Sequence, residues 1–462
     1  MLKPEALQEL IQVLGQDNVL MEKEDLMTYA YDATAAMKRV LPDVVITPAN
    51  TEQVAEVVKI ANKYQTPIYP RGSGTNLSGG TIPVESGIVM SMLNMNQILE
   101  VDAENLTAWV QPGVIIQDLN NAAMEHGLFY PPDPGTVTTA TMGGSVSESS
   151  GGLRGLKYGV TKQYVMGMKL VRGNGDVIKW GGKTVKNVSG YDLTALFTGA
   201  EGTLGILTEI LVKLSPTPEA KKSILGVFDD IDKAGSAISA IIRNKVIPAT
   251  LEIMDNMTIR TVENFAHAGL PIDAQAILLC EVDGYKEAVE REATLVEKIL
   301  AEEGATEVKL AKDDKERDQI WFARRNALPA LAQLKPTTVL EDATVPRSKI
   351  PDMIKAIRQI ATKYNLTIGT FGHAGDGNLH PTILTDARDT EEMERVEKAV
   401  AEIFDVAISL GGTLSGEHGI GMAKAKFLPL EFGEEGVNLL RDIKKALDPN
   451  FILNPGKMVR RD

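Results

Sequence analysis

Three of the five histidines fall within residues 373–418, and a carboxylate joins them: His373-Ala-Gly-Asp-Gly-Asn378-Leu-His380, then Glu417-His418 in Ser-Gly-Glu-His-Gly-Ile-Gly. Gly375, Asp376 and Gly377 make the first pair a turn, so the two imidazoles converge from the limbs of a hairpin-like bend. Two histidines and one glutamate can bind a divalent ion and leave positions open for substrate, with zinc, iron and manganese all compatible. A lone histidine is more often a satisfied structural residue; three set among glycines favour a site. An anion clamp fits beside it. In the helix DKERDQIWFARRNAL (residues 314–328), a wheel at about 100° per residue puts Arg324 among Ile320, Trp321, Ala327 and Leu328 and Arg325 toward the edge of that stripe. A buried guanidinium needs a partner, either an internal acid or a substrate carboxylate.

Glycine-rich segments form a second group. Of the 41 glycines, 23 lie between residues 70 and 205, where backbone must bend tightly or approach a ligand closely. Pro70-Arg71-Gly72-Ser73-Gly74-Thr75-Asn76-Leu77-Ser78-Gly79-Gly80 is a strand end followed by a loop that can offer N–H groups to a phosphate or serve as a structural turn. It is not a Rossmann fingerprint, because the third glycine comes five residues on and Pro83 denies the helix such a turn requires; no GxxxxGK[ST] is present. PPDPGTVTTATMGGSVSESSGGLRGLKYG (residues 131–159) combines two Gly-Gly pairs with small hydroxyls, poor for core packing and suited to threading backbone around a polar cofactor. Loops of that length inside a compact domain are seldom without a function. Residues 143–205 hold eight Lys or Arg and four Asp or Glu, +4 within a chain of net charge −14.

Residues 70–80, 131–159 and Gly199-Ala200-Glu201-Gly202-Thr203-Leu204-Gly205-Ile206 resemble the FAD-contacting segments of the p-cresol methylhydroxylase and vanillyl-alcohol oxidase flavoprotein fold. The closing Asn454-Pro455-Gly456-Lys457 resembles the branch holding D-lactate dehydrogenases, the FAD-binding subunit of glycolate oxidase and D-2-hydroxyglutarate dehydrogenases. The resemblance runs from about residue 40 to the end. It implies an α+β fold: a two-subdomain FAD-binding domain of the p-cresol methylhydroxylase type (1–217), a substrate or cap domain with an antiparallel sheet covered by helices (218–414), and a C-terminal return (415–462) to the FAD domain. By the same resemblance Arg71, Gly72, Ser73, Gly74, Thr75, Asn76 and Ser78 hold the pyrophosphate. Pro134, Gly135, Gly143, Gly144 and the run Ser147, Glu148, Ser149, Ser150, Gly151 and Gly152 line the flavin and ribityl path, and Glu201, Gly202, Gly205 and Ile206 flank the adenine half. Pro70, Tyr158, Gly159 and Asn454 join them as cofactor-binding positions. Ser145 stands where the family often has Asn, which puts one amide contact in question, and with His126 the earliest histidine the FAD is expected to be non-covalent. Matching positions make His373, His380 and Glu417 the ligands of a divalent metal, His418 the base and Arg324 the substrate-binding arginine; Asn378 is expected to orient substrate or flavin.

The elements that must hold these residues follow from pattern. VVITP (residues 44–48) reads as a strand, Asn50 with Gln53 opens a helix through Tyr64, and PIYP leads into the first loop. Short apolar runs alternate with turns from 87 to 215, interrupted by a helix near 115–126. SPTPEA (residues 215–220) marks a boundary, after which helices near 230–244, 284–304, 313–328, 347–363 and 389–410 alternate with strands such as AILLCEV and TTVLEDATV. His126 and His267 read as helix-end residues, Cys280 as a buried strand residue, and Trp109, Trp180 and Trp321 as packing residues.

Composition bounds the function. At 462 residues, 44% hydrophobic and 24% charged, the chain is globular, and its single cysteine excludes an internal disulfide or a cysteine-based zinc or iron–sulfur centre. A charge of −14 disfavours nucleic acid and anionic lipid. No run suits a transmembrane helix, and the start, acidic between Leu7, Leu10, Ile11 and Leu14, is a docked helix rather than a signal peptide, so a cytoplasmic protein is expected, at most peripheral to a membrane through a partner. The combined expectation is an FAD-dependent dehydrogenase of a small D-2-hydroxy acid, D-lactate first and glycolate second; Leu340 stands where dicarboxylate-specific members carry a lysine, which argues against D-2-hydroxyglutarate, while Lys335 lies close enough to reopen that question. The electrons then pass to an electron-transferring flavoprotein, iron–sulfur subunit, cytochrome or quinone. The alternatives are a non-catalytic FAD-binding relay or structural subunit and, without a purpose for the glycine segments, a metal-dependent hydrolase.

Overall fold

The computed structural model describes residues 2–459. Val19–Leu20 (β1), Val44–Ile46 (β2), Ile68–Arg71 (β3) and Ile88–Ser91 (β4) pair in the order β1-β2-β4-β3, with β2 and β3 parallel to β4. The crossover between β2 and β3 is helix α1 (Thr51–Tyr64), which starts where the spacing predicts: Asn50 Oδ1 accepts the Gln53 N–H at 2.9 Å, and Gln53 Oε1 accepts the Ala49 N–H at 2.8 Å. Its buried stripe, Val54, Val57, Val58 and Ala61, packs with Leu10 and Leu14 of the first helix, Pro4–Leu14, on Val44, Ile46, Ile68 and Ile88.

A second, antiparallel sheet follows. Ile98–Asp102 (β5), Thr107–Val110 (β6), Val165–Val171 (β7), Val177–Gly181 (β8) and Ile206–Lys213 (β9) lie in the order β5-β6-β9-β7-β8. Between β6 and β7 run a helix, Ile116–Met124, and then α2 (Met142–Glu148), inside the Gly/Ser-rich stretch that sequence reads as loop. Gly143 and Gly144 weaken a helix in isolation. Burial of Met142 and Val146, and a cap in which Thr141 Oγ1 accepts the Gly144 N–H at 3.2 Å, outweigh that here.

The chain divides into two units, one of Met1–Gly151, Val160–Thr217 and Glu417–Asp462, the other of Gly152–Gly159 and Pro218–Gly416. Helix Leu428–Leu447 belongs to the first and was not foreseen. Near its end Lys444 Nζ, almost fully buried, donates to Asp448 Oδ2 at 2.5 Å and to the carbonyls of Thr203 and Leu453, both at 2.6 Å. Asp448 also takes the N–H groups of Ile452 and Leu453, which lets Ile452 O accept from Ile68 N and Asn454 N donate to Ile68 O, both at 2.7 Å, along β3.

The second unit is an antiparallel sheet of Ala220–Phe228 (β10), Thr250–Asp255 (β11), Ala276–Gly284 (β12), Glu307–Leu310 (β13), Thr337–Leu340 (β14), Ala343–Thr344 (β15), Thr367–His373 (β16) and Asn378–Thr385 (β17). The order is β13-β10-β12-β11-β16-β17-β14, with β15 also on β17. Helices Ile231–Arg243, Lys286–Glu302, Ile350–Tyr364 and Thr390–Ser409 cover one face through Ile238, Ile241, Val296, Ile357 and Ile403. Helices Asn256–Ala266, α3 (Asp314–Arg325) and Ala327–Leu331 cover the other through Ile259, Ile320, Ala323 and Leu331. The helix expected over 313–328 breaks at Asn326. Side chains alternate along β11, so Leu251 and Ile253 enter the first cluster while Met254 enters the second. Cys280 is buried in β12, and His267 ends its helix at φ 47°. Trp321 packs against the second cluster and donates Nε1–H to Ser223 Oγ at 2.9 Å.

The C-terminal tie gives a stability test. Burial pulls the Lys444 ammonium below its usual range against the pull of Asp448, so Asp448→Ala leaves a buried cation without its counter-ion. The expected loss is about 3–5 kcal/mol in urea unfolding; a loss below about 1 kcal/mol would put the pair in the class of surface ion pairs.

Candidate functional site

A pocket in the first unit is lined by Pro70, Arg71, Gly72, Gly80, Thr81, Met92, Pro112, Thr141, Gly143, Gly144, Ser147, Glu148, Glu201, Gly202, Gly205, Ile206 and Leu207. It draws on all three glycine segments named from sequence, and the reason for glycine is steric. A Cβ on Gly72 would overlap Thr141 Oγ1, one on Gly143 would lie 2.6 Å from Pro112 Cβ, and one on Gly202, at φ +68°, 2.5 Å from Pro70 Cγ. The walls therefore meet backbone to side chain, and the cavity between them is the kind of cradle a dinucleotide needs.

The loop after β3 is braced from within. Asn76 Oδ1 accepts the N–H groups of Ser78 at 2.9 Å and Gly80 at 2.6 Å, while Arg71 Nη1 donates to Tyr31 O at 2.7 Å and Thr81 Oγ1 at 3.0 Å. Thr81 in turn donates to Asp32 Oδ2 at 3.1 Å. Asn454 closes the cradle from behind: its amide donates to Gly80 O at 2.9 Å and Glu201 O at 2.7 Å, tying the first loop to the third. Ser145 points away, sharing hydrogen bonds with Ser150 and Thr161 at 2.6 and 3.0 Å. Of the other expected cofactor residues, Ser73, Gly74, Thr75, Asn76 and Ser78 continue the braced loop, and Pro134 and Gly135 lie in the same unit outside this lining. Gly152, Tyr158 and Gly159 belong to the second unit, where Tyr158 donates to Asp283 Oδ2 at 2.7 Å.

Acid and base groups crowd the cradle, with Glu148 and Glu201 in its lining. Burial, then the neighbouring Glu201 and Asp32, push the Glu148 carboxyl well above the usual range. Burial also raises Glu201, against two N–H donors, Ile420 at 2.6 Å and Gly421 at 2.7 Å. Burial lowers the Lys457 ammonium to about 7 despite Asp32 and Glu201. The same return segment carries Glu417 and His418, whose Oε1 and Nε2 are 3.6 Å apart. A Cβ on Gly151 would meet Glu417, and one on Gly419 would overlap Glu148, so His418 is carried at the cradle's Glu148 edge. Sequence reading placed Glu148 within the run that lines the cofactor and missed Thr141; a Thr three residues before a glycine amide was the available signal for the cap.

In the second unit the expected hairpin is present, with His373 opposite Asn378 and Phe371 opposite His380. The imidazoles of His373 and His380 are edge to face, centroids 5.1 Å apart, and buried. Asn378 Oδ1 accepts from Thr344 Oγ1 at 3.0 Å. Arg324 points inward from α3, its guanidinium 4.8 Å from the Phe371 ring, whereas Arg325 is exposed. Its partner is internal: Arg324 Nη2 pairs with Glu252 Oε2, and Glu252 Oε1 lies 2.8 Å from His373 Nδ1. Burial would raise the fully buried Glu252 carboxyl, but Arg324 and His373 outweigh it and hold it below the usual range. Arg324 Nε meets no acceptor among the described residues, which leaves it a donor for an anion. Asp342, also missed, accepts from Ser415 Oγ at 2.6 Å and Gly416 N at 2.9 Å and so fixes the two residues preceding Glu417.

Comparison with known proteins agrees with both units. The family described as FAD binding domain matches residues 42–181, and that described as FAD linked oxidases, C-terminal domain, matches residues 217–458. Glycolate oxidase subunit GlcD of Bacillus subtilis is 53% identical over 462 residues, 100% of this chain and 98% of its own length. D-lactate dehydrogenase of Archaeoglobus fulgidus is 37% identical over 423 residues, 90% of this chain and 91% of its own. The structure of p-cresol methylhydroxylase with substrate bound superposes with a TM-score of 0.82 at 21% identity, over 99% of this chain and 96% of that one, and has the same fold. The fold class expected from the glycine segments is therefore the one observed.

The raised Glu148 carboxyl predicts a pH signature. Because the folded chain holds this proton more tightly than the unfolded one, stability is lost as pH rises from the ordinary value of 4.5 toward the folded one. Glu148→Gln removes that dependence, so its gain over the parent grows by up to ~1.4 kcal/mol per pH unit across the window. Thermal midpoints with excess FAD should show a larger gain at about pH 8 than at about pH 4.5; equal gains would deny the shift.

Proposed function

This chain belongs to the FAD-linked oxidases, and on that premise we propose that it oxidises a small 2-hydroxy acid, glycolate or D-lactate, to the 2-oxo acid. The observation that carries this reading is the cluster of His373, His380, Asn378 and Arg324 on one face of the second unit's sheet. FAD, when bound, supplies an acceptor for the C2 hydrogen as hydride, and a zinc, iron or manganese ion on His373, His380 and Glu417 supplies a Lewis acid. Pro70–Gly80, the start of α2 and Glu201–Ile206 hold the cofactor non-covalently, largely through backbone. Arg324 takes the substrate carboxylate with the donors that Glu252 leaves over, as a planar fork suits. Asn378 orients the substrate, and His418 accepts the hydroxyl proton, a task matched to imidazole near neutral pH.

A compact monocarboxylate is favoured over a dicarboxylate. Lys335, the residue that could serve a second carboxylate, is 41% exposed at its side chain and 3.5 Å from Glu392, and Leu340 is only partly buried. Sequence places D-lactate first; the 53% identity to a protein named for glycolate oxidase moves glycolate ahead of it. That relative is named a subunit, which supports a redox partner for this chain: an electron-transferring flavoprotein, iron–sulfur subunit, cytochrome or quinone. The one cysteine is buried, so an iron–sulfur relay would be the partner's. No described helix is long and apolar enough to cross a membrane; we place the protein in the cytoplasm, with any membrane attachment through that partner.

An anaerobic visible spectrum of the purified protein tests the reading. The flavin band should bleach with glycolate or D-lactate and persist with L-lactate. A band that ignores all three acids would favour a relay subunit, and no flavin after added FAD would overturn the cofactor. His418→Ala should keep the flavin spectrum and slow its reduction by about 10²–10⁴-fold; reduction at the parent rate would remove His418 from the proton-accepting role.

A further inference from the structure

Glu252 is a fully buried carboxylate in the middle of β11, and its pairing with the buried Arg324 accounts for only one of its two oxygens. The strand reads Thr-Leu-Glu-Ile-Met-Asp, with every residue buried. The register that pairs Ile253 with Gly372 and Met254 with Phe371 carries Glu252 to the level of His373, on the face Met254 shares with Ile320 and Ala323 of α3. Its two oxygens are divided: Oε1 lies 2.8 Å from His373 Nδ1, and Oε2 pairs with Arg324.

An ionised carboxylate can only accept, so Nδ1 of His373 carries the proton and the lone pair of the neutral ring sits on Nε2. The Nδ1 bond also sets the plane of the ring, which is how carboxylates orient metal-binding imidazoles elsewhere. The other oxygen meets Arg324 while leaving Nε of that guanidinium unengaged among the described residues. One side chain thus sets the tautomer of a ring and the pose of a cation that come from separate elements, β16 and α3.

We propose that Glu252 is a positioning residue that presents His373 Nε2 to the divalent ion and Arg324 to the substrate carboxylate at once. This rests on the metal and substrate roles proposed above for His373 and Arg324. A purely structural counter-ion for Arg324 would affect stability alone; a shared clamp must affect metal affinity and substrate binding together.

The test measures zinc affinity of the FAD-loaded protein by competition with a chromogenic chelator, with flavin absorbance and circular dichroism as checks of fold. The parent, Glu252→Gln, Glu252→Asp and His373→Gln are compared. Glu252→Gln should weaken zinc by about 10–100-fold and raise KM for glycolate more than it lowers kcat. Glu252→Asp keeps the charge opposite Arg324 but is too short to keep the His373 bond, so it should lose zinc affinity similarly, and it decides the matter if the Gln variant does not fold. Parent zinc affinity in the folded Glu252 variants, with affinity lost in His373→Gln, overturns the positioning role and leaves the metal assignment standing. Parent affinity in His373→Gln as well overturns both.

Discussion

Backbone must come closer to side chain in the first unit than any Cβ allows, and the remainder of that unit is arranged around this requirement. Gly72 against Thr141, Gly143 against Pro112 and Gly202 against Pro70 are three such approaches, from three parts of the chain. Each glycine surrenders helix or strand propensity, so the loops that carry them depend on outside bracing. Asn76 and Arg71 brace the first loop, Thr141 caps α2, and Asn454 ties the first loop to the third. The resulting wall is built in large part of glycine backbone, whose position does not change with rotamer.

The second unit solves the opposite problem with side chains. The face that carries His373, His380 and Asn378 is a sheet surface, where a residue's direction follows from strand alternation and its neighbours from register. His373, His380 and Asn378 fall on that face because a tight turn fixes which residues oppose one another. Charge is then balanced in place: Glu252 is fully buried, and the guanidinium and imidazole that meet it hold its carboxyl below the usual range. Buried ionic groups of this kind add little net stability and are retained where geometry matters more.

Local features were legible in the sequence and distant ones were not. The Asn50 cap, the hairpin around Gly375–Gly377 and the inward turn of Arg324 rest on spacings of a few residues, and the structure has all three. Arg324's partner was not legible, since Glu252 is far away in sequence and lies 121 positions from His373, which it also binds. An acid between Leu251 and Ile253 inside a buried strand was the trace of it. Helix α2 was hidden for a different reason: Gly143 and Gly144 argue against a helix until the burial of Met142 and Val146 is known. The three glycine segments were recognisable as a set, but not Thr141, whose hydroxyl caps α2.

The first unit is assembled from three separated stretches, and the last of these supplies Ile420, Gly421 and Asn454 to Glu201. On a translating ribosome these arrive late. Ile420 emerges 219 residues after Glu201, a delay of roughly ten to forty seconds at about 5–20 residues per second. The second unit, continuous apart from Gly152–Gly159, is fully synthesised before that. During the interval the nascent glycine loops lack their clasp, so the first unit, whose residues begin earlier, receives its last contacts only after the second has been made.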